Sequence, residues 1–345
     1  MKKHNSLSLI TFLSSYAITL IVLGHSILHI SIDKSRAFIM PELFLYVARL
    51  AYGFGLPLFM AISGYLFVHT TISDTGFSYK RFITKKIVRL LVPYVLISSA
   101  AFIPKCLLSQ YAMRPVSFSI KDFINSMIIP GDNVIIYLWF LPTLFFIFVI
   151  IGLFKKYTPL FKSNLLFLSL GASFILMYFI KPFAGIKLMN IDGIANFLIY
   201  FWLGCAIYLY KQRLHTINNM YVITVSFIFM LLLNLNFPIS QSRLIIFVKA
   251  ILGIMFSFGL GYLCKNKRFP LFSYIKGYSY QIFLLSWFFH TFFRVLFFQI
   301  FELGFYLTFS CMFISGLLGP VLVTKGLVKL FPMLSPALGI HQKER

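Results

Sequence analysis

The chain is a succession of long apolar runs separated by short polar or basic connections. The first run, Leu7 to Ile30, reads LSLITFLSSYAITLIVLGHSILHI. About 20 predominantly apolar residues suffice to cross a bilayer as a helix. Later runs predict further spans at about 43–70, 87–104, 134–154, 164–181, 191–210, 217–236, 244–264, 274–300 and 303–331. The pattern predicts an all-α polytopic membrane protein. Its fold is a bundle of about ten transmembrane helices, with residues 1–345 forming a single domain. Span two is interrupted by Gly55 and Pro57, then by Ser63 and Gly64. Proline removes a backbone donor and kinks a helix, which frees carbonyls. A broken helix persists at membrane depth where it is buried in protein or lines a cavity; a plain packing kink is the alternative. The longest connection, Pro104 to Asn133, contains a short amphipathic helix over Ser119–Ile129 with Ser119 as N-cap. Structured connections of this length are often lids or binding elements.

Composition agrees. The chain of 345 residues is 60% hydrophobic and only 11% charged, with a mean hydropathy of +0.90. A soluble domain carries about twice that charged fraction. The formal net charge of +23 suggests nucleic acid at first sight. The basic residues alternate along the chain instead. With both termini in the cytoplasm, the cytoplasmic segments with their adjoining span ends hold 20 of the 31 Lys and Arg and the outer ones 8, which leaves Arg49, Lys249 and Arg294 within spans. Such an excess sets orientation in an inner (plasma) membrane and needs no nucleic-acid partner. Cys106, Cys205, Cys264 and Cys311 lie far apart and predict neither metal site nor disulfide. Lys2-Lys3 before an apolar run resembles a signal peptide, but the run is too long and lacks a small-residue cleavage site, so it is kept as helix one.

The polar groups inside the spans are the candidate chemistry. His25 lies 18 residues beyond Leu7, roughly 27 Å along a helix at the usual rise. An ionisable group that deep faces a bundle interior or a wet cavity; a hydrogen-bonding role between helices is an equal alternative. His29 follows one turn later on the same face. No glutamate completes an H-E-x-x-H pattern, so zinc is not expected. The eight carboxylates form no intramembrane pair with one another, which argues against a proton-coupled carrier. Lys86 and Arg89, three apart, share a helix face and suit a phosphorylated ligand such as coenzyme A; positive-inside anchoring is the alternative. Trp139 begins span four in LWFLP, where interface aromatics are common. His290 and Arg294 lie four apart in span nine, at a candidate cavity wall.

In order along the chain, the segments are AITLIVLGH (Ala17–His25), PLFMAISGY (Pro57–Tyr65), Lys86-x-x-Arg89 leading to Pro93-Tyr94, LWFL (Leu138–Leu141), FWLG (Phe201–Gly204) and SYQIFLL (Ser279–Leu285). Together they resemble the acyltransferase-3 family of bacterial membrane acyltransferases. The resemblance implies about ten helices. It also implies transfer of an acyl group, commonly acetyl, from a cytoplasmic acyl-CoA to a hydroxyl of an envelope polysaccharide. Acyl-CoA is a donor substrate in this reading, and no resident cofactor is implied. His25 becomes the general base, Lys86 and Arg89 the donor-phosphate site, and Ser14, His29, Pro57, Ser63, Gly64, Trp139, His290 and Arg294 the cavity wall. Three positions depart from the family pattern. Ser14 stands where the family usually has arginine, on nearly the same face as His25 and about 16 Å nearer the cytoplasm. Lys86 replaces the first arginine of R-x-x-R, and Ser286 stands where the late motif often has histidine. These departures fit a divergent branch that includes surface-polysaccharide proteins.

Two further readings stay open. One is an exporter or flippase of polysaccharide or lipid-linked sugar, for which a wide polar groove open to both sides is expected. The other is the second large class of membrane-bound O-acyltransferases, which fits the ordered motifs less well. The orientation has a direct test: reporter fusions at Arg345 and within Pro104–Asn133 are expected on opposite sides of the membrane. Finding both on one side would overturn the arrangement.

Overall fold

The long apolar runs become helices that gather around the first two. The computed structural model describes residues 2–33, 35, 38–72, 76–159, 161–210, 220–236 and 242–340. The helices are α1 (Lys2–Ser31), α2 (Glu42–Thr71), α3 (Tyr79–Leu107), α4 (Ile120–Ile128), α5 (Phe140–Tyr157), α6 (Asn164–Ile180), α7 (Asp192–Tyr210), α8 (Met220–Asn236), α9 (Arg243–Cys264), α10 (Pro270–Tyr274), α11 (Ser279–Ile300) and α12 (Phe305–Leu330). The described residues contain no strand. Eight helices are long and apolar enough to cross a membrane: α1, α2, α3, α5, α7, α9, α11 and α12. The helices α6 and α8 fall where spans five and seven are expected, and each has 17 described residues. At the usual rise that is about 26 Å, at the lower end of the length that crosses a hydrocarbon core. The chain is a multi-pass membrane protein. Length alone establishes eight spans among the described residues, not ten.

Helix α2 is the hub, packed against α1, α7 and α9, while α1 also meets α9, α11 and α12. Its tightest crossing is with α7. A Cβ built on Gly64 would lie 1.9 Å from the Phe201 carbonyl oxygen, and one on Gly204 would lie 1.9 Å from that of Ala61. Small residues let two backbones touch where lipid supplies no hydrophobic drive between helices. The thiol of Cys205 donates to the Gly64 carbonyl at 3.4 Å. Gly64 is therefore a packing position rather than the cavity wall expected from the sequence. Pro57 is buried, and α2 continues through it from Glu42 to Thr71.

Helix α3 carries a π-helical stretch at Ile87–Leu91, just before Pro93. Proline has no N–H for the carbonyl four residues back, and π turns accommodate such misfits. That carbonyl belongs to Arg89, and the Tyr280 hydroxyl donates to it at 2.5 Å. Further along, Asn133 ties the long connection to α3. Its Nδ2 donates to Ser98 Oγ at 2.9 Å and to the Ser126 carbonyl at 2.8 Å, and its Oδ1 accepts from the Ile135 N–H at 2.8 Å. The short helix in this connection is α4, with the Ser119 hydroxyl accepting from the Asp122 N–H at 3.0 Å.

Because the α2–α7 crossing has no room for a methyl group, Gly204→Val must push the helices apart. Overpacking a buried contact costs about 1–3 kcal/mol or more. Thermal unfolding of the purified variant is expected to shift down by several degrees, with reduced accumulation in the membrane. An unchanged midpoint would contradict the crossing.

Candidate active site

Two cavities enter the bundle from opposite ends. The first, about 400 Å³, opens near the start of α1 and is lined by Ser14, Ser63, Lys86, Arg89, Phe140 and Tyr280 among others. The Lys86 ammonium sits 3.6 Å from the Phe148 ring centroid, and the Arg89 guanidinium 5.9 Å from that of Tyr280. Aromatic faces hold cations in place without neutralising them. A basic recess of about 280 Å³ adjoins this cavity through Thr11 and holds Lys265, Lys267, Arg268 and Lys276. The second cavity, about 430 Å³, lies at the other end of the bundle and is lined by His29, Lys105, Arg114, Asn133, Trp287 and Arg294 among others.

His25 sits in the wall between them. One turn before it, Ile21 lines the first cavity; one turn after it, His29 lines the second. Phenyl rings close the first cavity toward His25: Phe59 to Phe140 at 6.4 Å and Phe140 to Phe283 at 5.6 Å between centroids. Beyond them Tyr137 contacts Phe283 and lies 4.6 Å from the His25 ring. The Tyr52 hydroxyl is hydrogen-bonded to His25 Nδ1. This bond depends on Gly24, since a Cβ there would meet the Tyr52 ring at 2.7 Å. The glycine before the histidine lets a tyrosine of α2 lie across α1.

Three imidazoles gather at this level. His25 and His29 are 5.8 Å apart between centroids, His29 and His290 5.6 Å, and His25 and His290 6.3 Å. His290 Nε2 is 3.3 Å from Ser26 Oγ. A Cβ on Gly316 would sit 2.4 Å from that nitrogen, so α12 leaves room for the ring. The Nδ1 atoms of His29 and His290 are buried with no hydrogen-bond partner among the described residues. Ser286 Oγ lies 3.5 Å from the Tyr137 hydroxyl, which puts this departure from the family pattern at the site.

Arg294 closes the site on the side of the second cavity. It begins the π-helical stretch Arg294–Ile300 at the end of α11. Its guanidinium pairs with Asp33 and donates to the Tyr111 carbonyl at 2.8 Å. Gln299 Nε2 donates to the same carboxylate at 2.8 Å. Burial pushes the Asp33 carboxyl up, but hydrogen bonds from Ser35 and the Arg294 charge outweigh it and hold the group below its ordinary value. This is the only salt bridge among the described residues.

The sequence expectations are thus brought together unevenly. Ser14, Ser63, Lys86 and Arg89 line the first cavity, and His29 and Arg294 the second. His290 is fully buried in the imidazole cluster rather than on a cavity wall. Trp139 packs on Phe140 and Phe197, and neither it nor Pro57 lines the two cavities. Sequence reasoning missed Tyr52, Tyr137, Ser26, Asp33 and Asn133. The Gly24-His25 step is the one local signal that a neighbouring helix comes close there.

No curated protein and no solved structure matches the chain. The acyltransferase-3 family model, described as an acyltransferase domain, matches residues 15–325. That stretch holds His25, His29, Tyr52, Lys86, Arg89, Tyr137, His290 and Arg294, and the chain belongs to the acyltransferase-3 family of membrane acyltransferases.

Proposed function

We propose that the protein is a membrane O-acyltransferase that moves an acyl group, such as acetyl, from a cytoplasmic acyl-CoA to a hydroxyl of an envelope saccharide. The observation that carries this reading is the position of His25 between two cavities that approach it from opposite ends. The first cavity takes the donor. Its mouth carries Lys86 and Arg89, and the adjoining basic recess adds Lys276 and its neighbours, a field suited to a polyphosphate. Its apolar interior suits the thioester arm, and the Phe59, Phe140 and Phe283 rings must part to let the acyl end reach His25.

In this reading the acceptor hydroxyl comes from the second cavity. Tyr52 accepts from His25 Nδ1–H, which leaves Nε2 as the base. The hydroxyl oxygen attacks the thioester carbonyl as its proton passes to His25. The carbon–sulfur bond breaks, and the proton leaves with the thiolate as free thiol. General base catalysis of this kind contributes about 10²–10⁴ in rate. The mostly apolar walls and the aromatic layer between the cavities favour this reading over an exporter, for which a wide polar groove joining both ends is expected.

The substitution His25→Gln keeps size and hydrogen bonding but removes basicity. It is expected to abolish saccharide acylation while the protein accumulates normally and the amount of saccharide is unchanged. Full acyl content in that strain would end the catalytic assignment. Loss of surface saccharide itself would favour export. Separately, replacing Lys86 and Arg89 together by Gln is expected to weaken acyl-CoA binding about 10-fold or more. Affinity of the native protein is expected to fall with added salt. Equal affinity in the double variant would return the pair to membrane anchoring.

A further inference from the structure

The second cavity has an unusual pairing of walls and charges. Its lining includes Leu108, Ile136, Trp287, Phe288, Phe292 and Ile300. Phe292 is 58% exposed and Ile300 50%. Both lie on α11, a spanning helix that ends at Ile300, so their exposed sides face outward from the bundle toward lipid and open the cavity sideways near the outer end of the span. Cations stand at the same cavity. Lys105 Nζ donates to the Val134 carbonyl at 2.9 Å, and an Arg114 N–H donates to the Gly131 carbonyl at 3.4 Å. Neither forms a salt bridge among the described residues; Asp33 is committed to Arg294. His29 is 8% exposed and adds an unpartnered, buried Nδ1 to the wall.

Each part of this site excludes a ligand. A free polysaccharide is hydrophilic along its length and gains nothing from aromatic walls that open to lipid. Inorganic phosphate would use the cations and waste the apolar surface. A bare hydrocarbon would leave the half-buried Lys105 ammonium, and Arg114 at the rim, without an anion. The volume is that of a single small ligand, which gives room for a phosphate and a sugar with the start of one chain. We propose that the second cavity binds a lipid phosphate: a saccharide joined through phosphate to a single hydrocarbon chain. The chain leaves between α3 and α11, the phosphate meets Lys105 and Arg114, and the sugar hydroxyl points toward His29 and His25. The role of this ligand as acceptor rests on the acyl-transfer reading above; its binding does not.

The test uses the full chain in nanodiscs of phosphatidylcholine, with a fluorescent prenyl phosphate as probe. Farnesyl phosphate is expected to displace the probe. Farnesol and inorganic phosphate are expected to be at least about 10-fold weaker, since each lacks one half of the recognition. Phosphatidate, a two-chain source of the same headgroup chemistry, is expected not to compete. Replacing Lys105 and Arg114 together by Gln should weaken farnesyl phosphate about 10-fold and leave farnesol unchanged. Equal binding of farnesol, equal competition by phosphatidate, or no binding at all would overturn the proposal, and these comparisons hold on the native protein should the double variant fail to fold. Transfer of acetyl from acetyl-CoA is then measured with a farnesyl-phosphate-linked sugar and with the same sugar free. Binding without transfer supports the lipid site and counts against acyl transfer. Transfer to the free sugar without lipid binding overturns the lipid site alone.

Discussion

The constraint on which the structure depends is the cost of holding polar side chains in the middle of an apolar bundle. A buried polar group without a partner costs about 1–3 kcal/mol, and a membrane interior offers no water to make up the loss. The protein meets this cost at His25 by bringing the Tyr52 hydroxyl across from α2, and it packs the Tyr137 ring on the imidazole from the turn before α5. Both approaches need something elsewhere. Tyr52 needs Gly24, and the segment that presents Tyr137 is pinned by the Asn133 bonds to α3. Helix α2 is itself held by the glycine contacts with α7. The site and the fold are therefore one set of contacts, and the glycines of the motifs are spacers for the imidazoles and tyrosines.

The same cost explains where chemistry is expected. His29 and His290 each keep a buried nitrogen unsatisfied among the described residues. Such atoms are tolerated where a ligand completes them. They lie on the side of His25 that meets the second cavity, while the aromatic layer of Phe59, Phe140 and Phe283 lies on the side of the first. A thioester approaching from one end crosses an apolar seal that excludes water, and a hydroxyl approaching from the other meets hydrogen-bonding groups. That asymmetry suits transfer between two substrates that never share a compartment.

Much of this was legible in the sequence, and the reason it was partial is physical. Hydrophobic runs placed all eight long helices because burial in lipid imposes a length and a composition that a single sequence displays. Lys86, Arg89 and His25 stood out because charge and imidazole are rare in such runs. The partners did not stand out. Tyr52 and Tyr137 are two among many aromatic residues, and nothing local marks which tyrosine turns toward a histidine on another helix. Asp33 lies just beyond the first apolar run; only the fold brings it to Arg294, 261 residues away. Gly64 was misassigned because a glycine that relaxes a helix and a glycine that admits a neighbouring helix look the same in sequence. Of the ten spans expected, eight are long enough by themselves and α6 and α8 are shorter apolar helices at the other two places, since composition does not separate a short span from a buried helix.

The central claim is that the protein changes the acylation of an envelope saccharide rather than its transport. The most direct measurement is mass spectrometry of that saccharide from cells with and without the gene, with the amount of polymer determined in the same samples. The account predicts one acyl substituent that is present only when the gene is present, on polymer of unchanged amount. Identical acyl content with less polymer at the surface would contradict it.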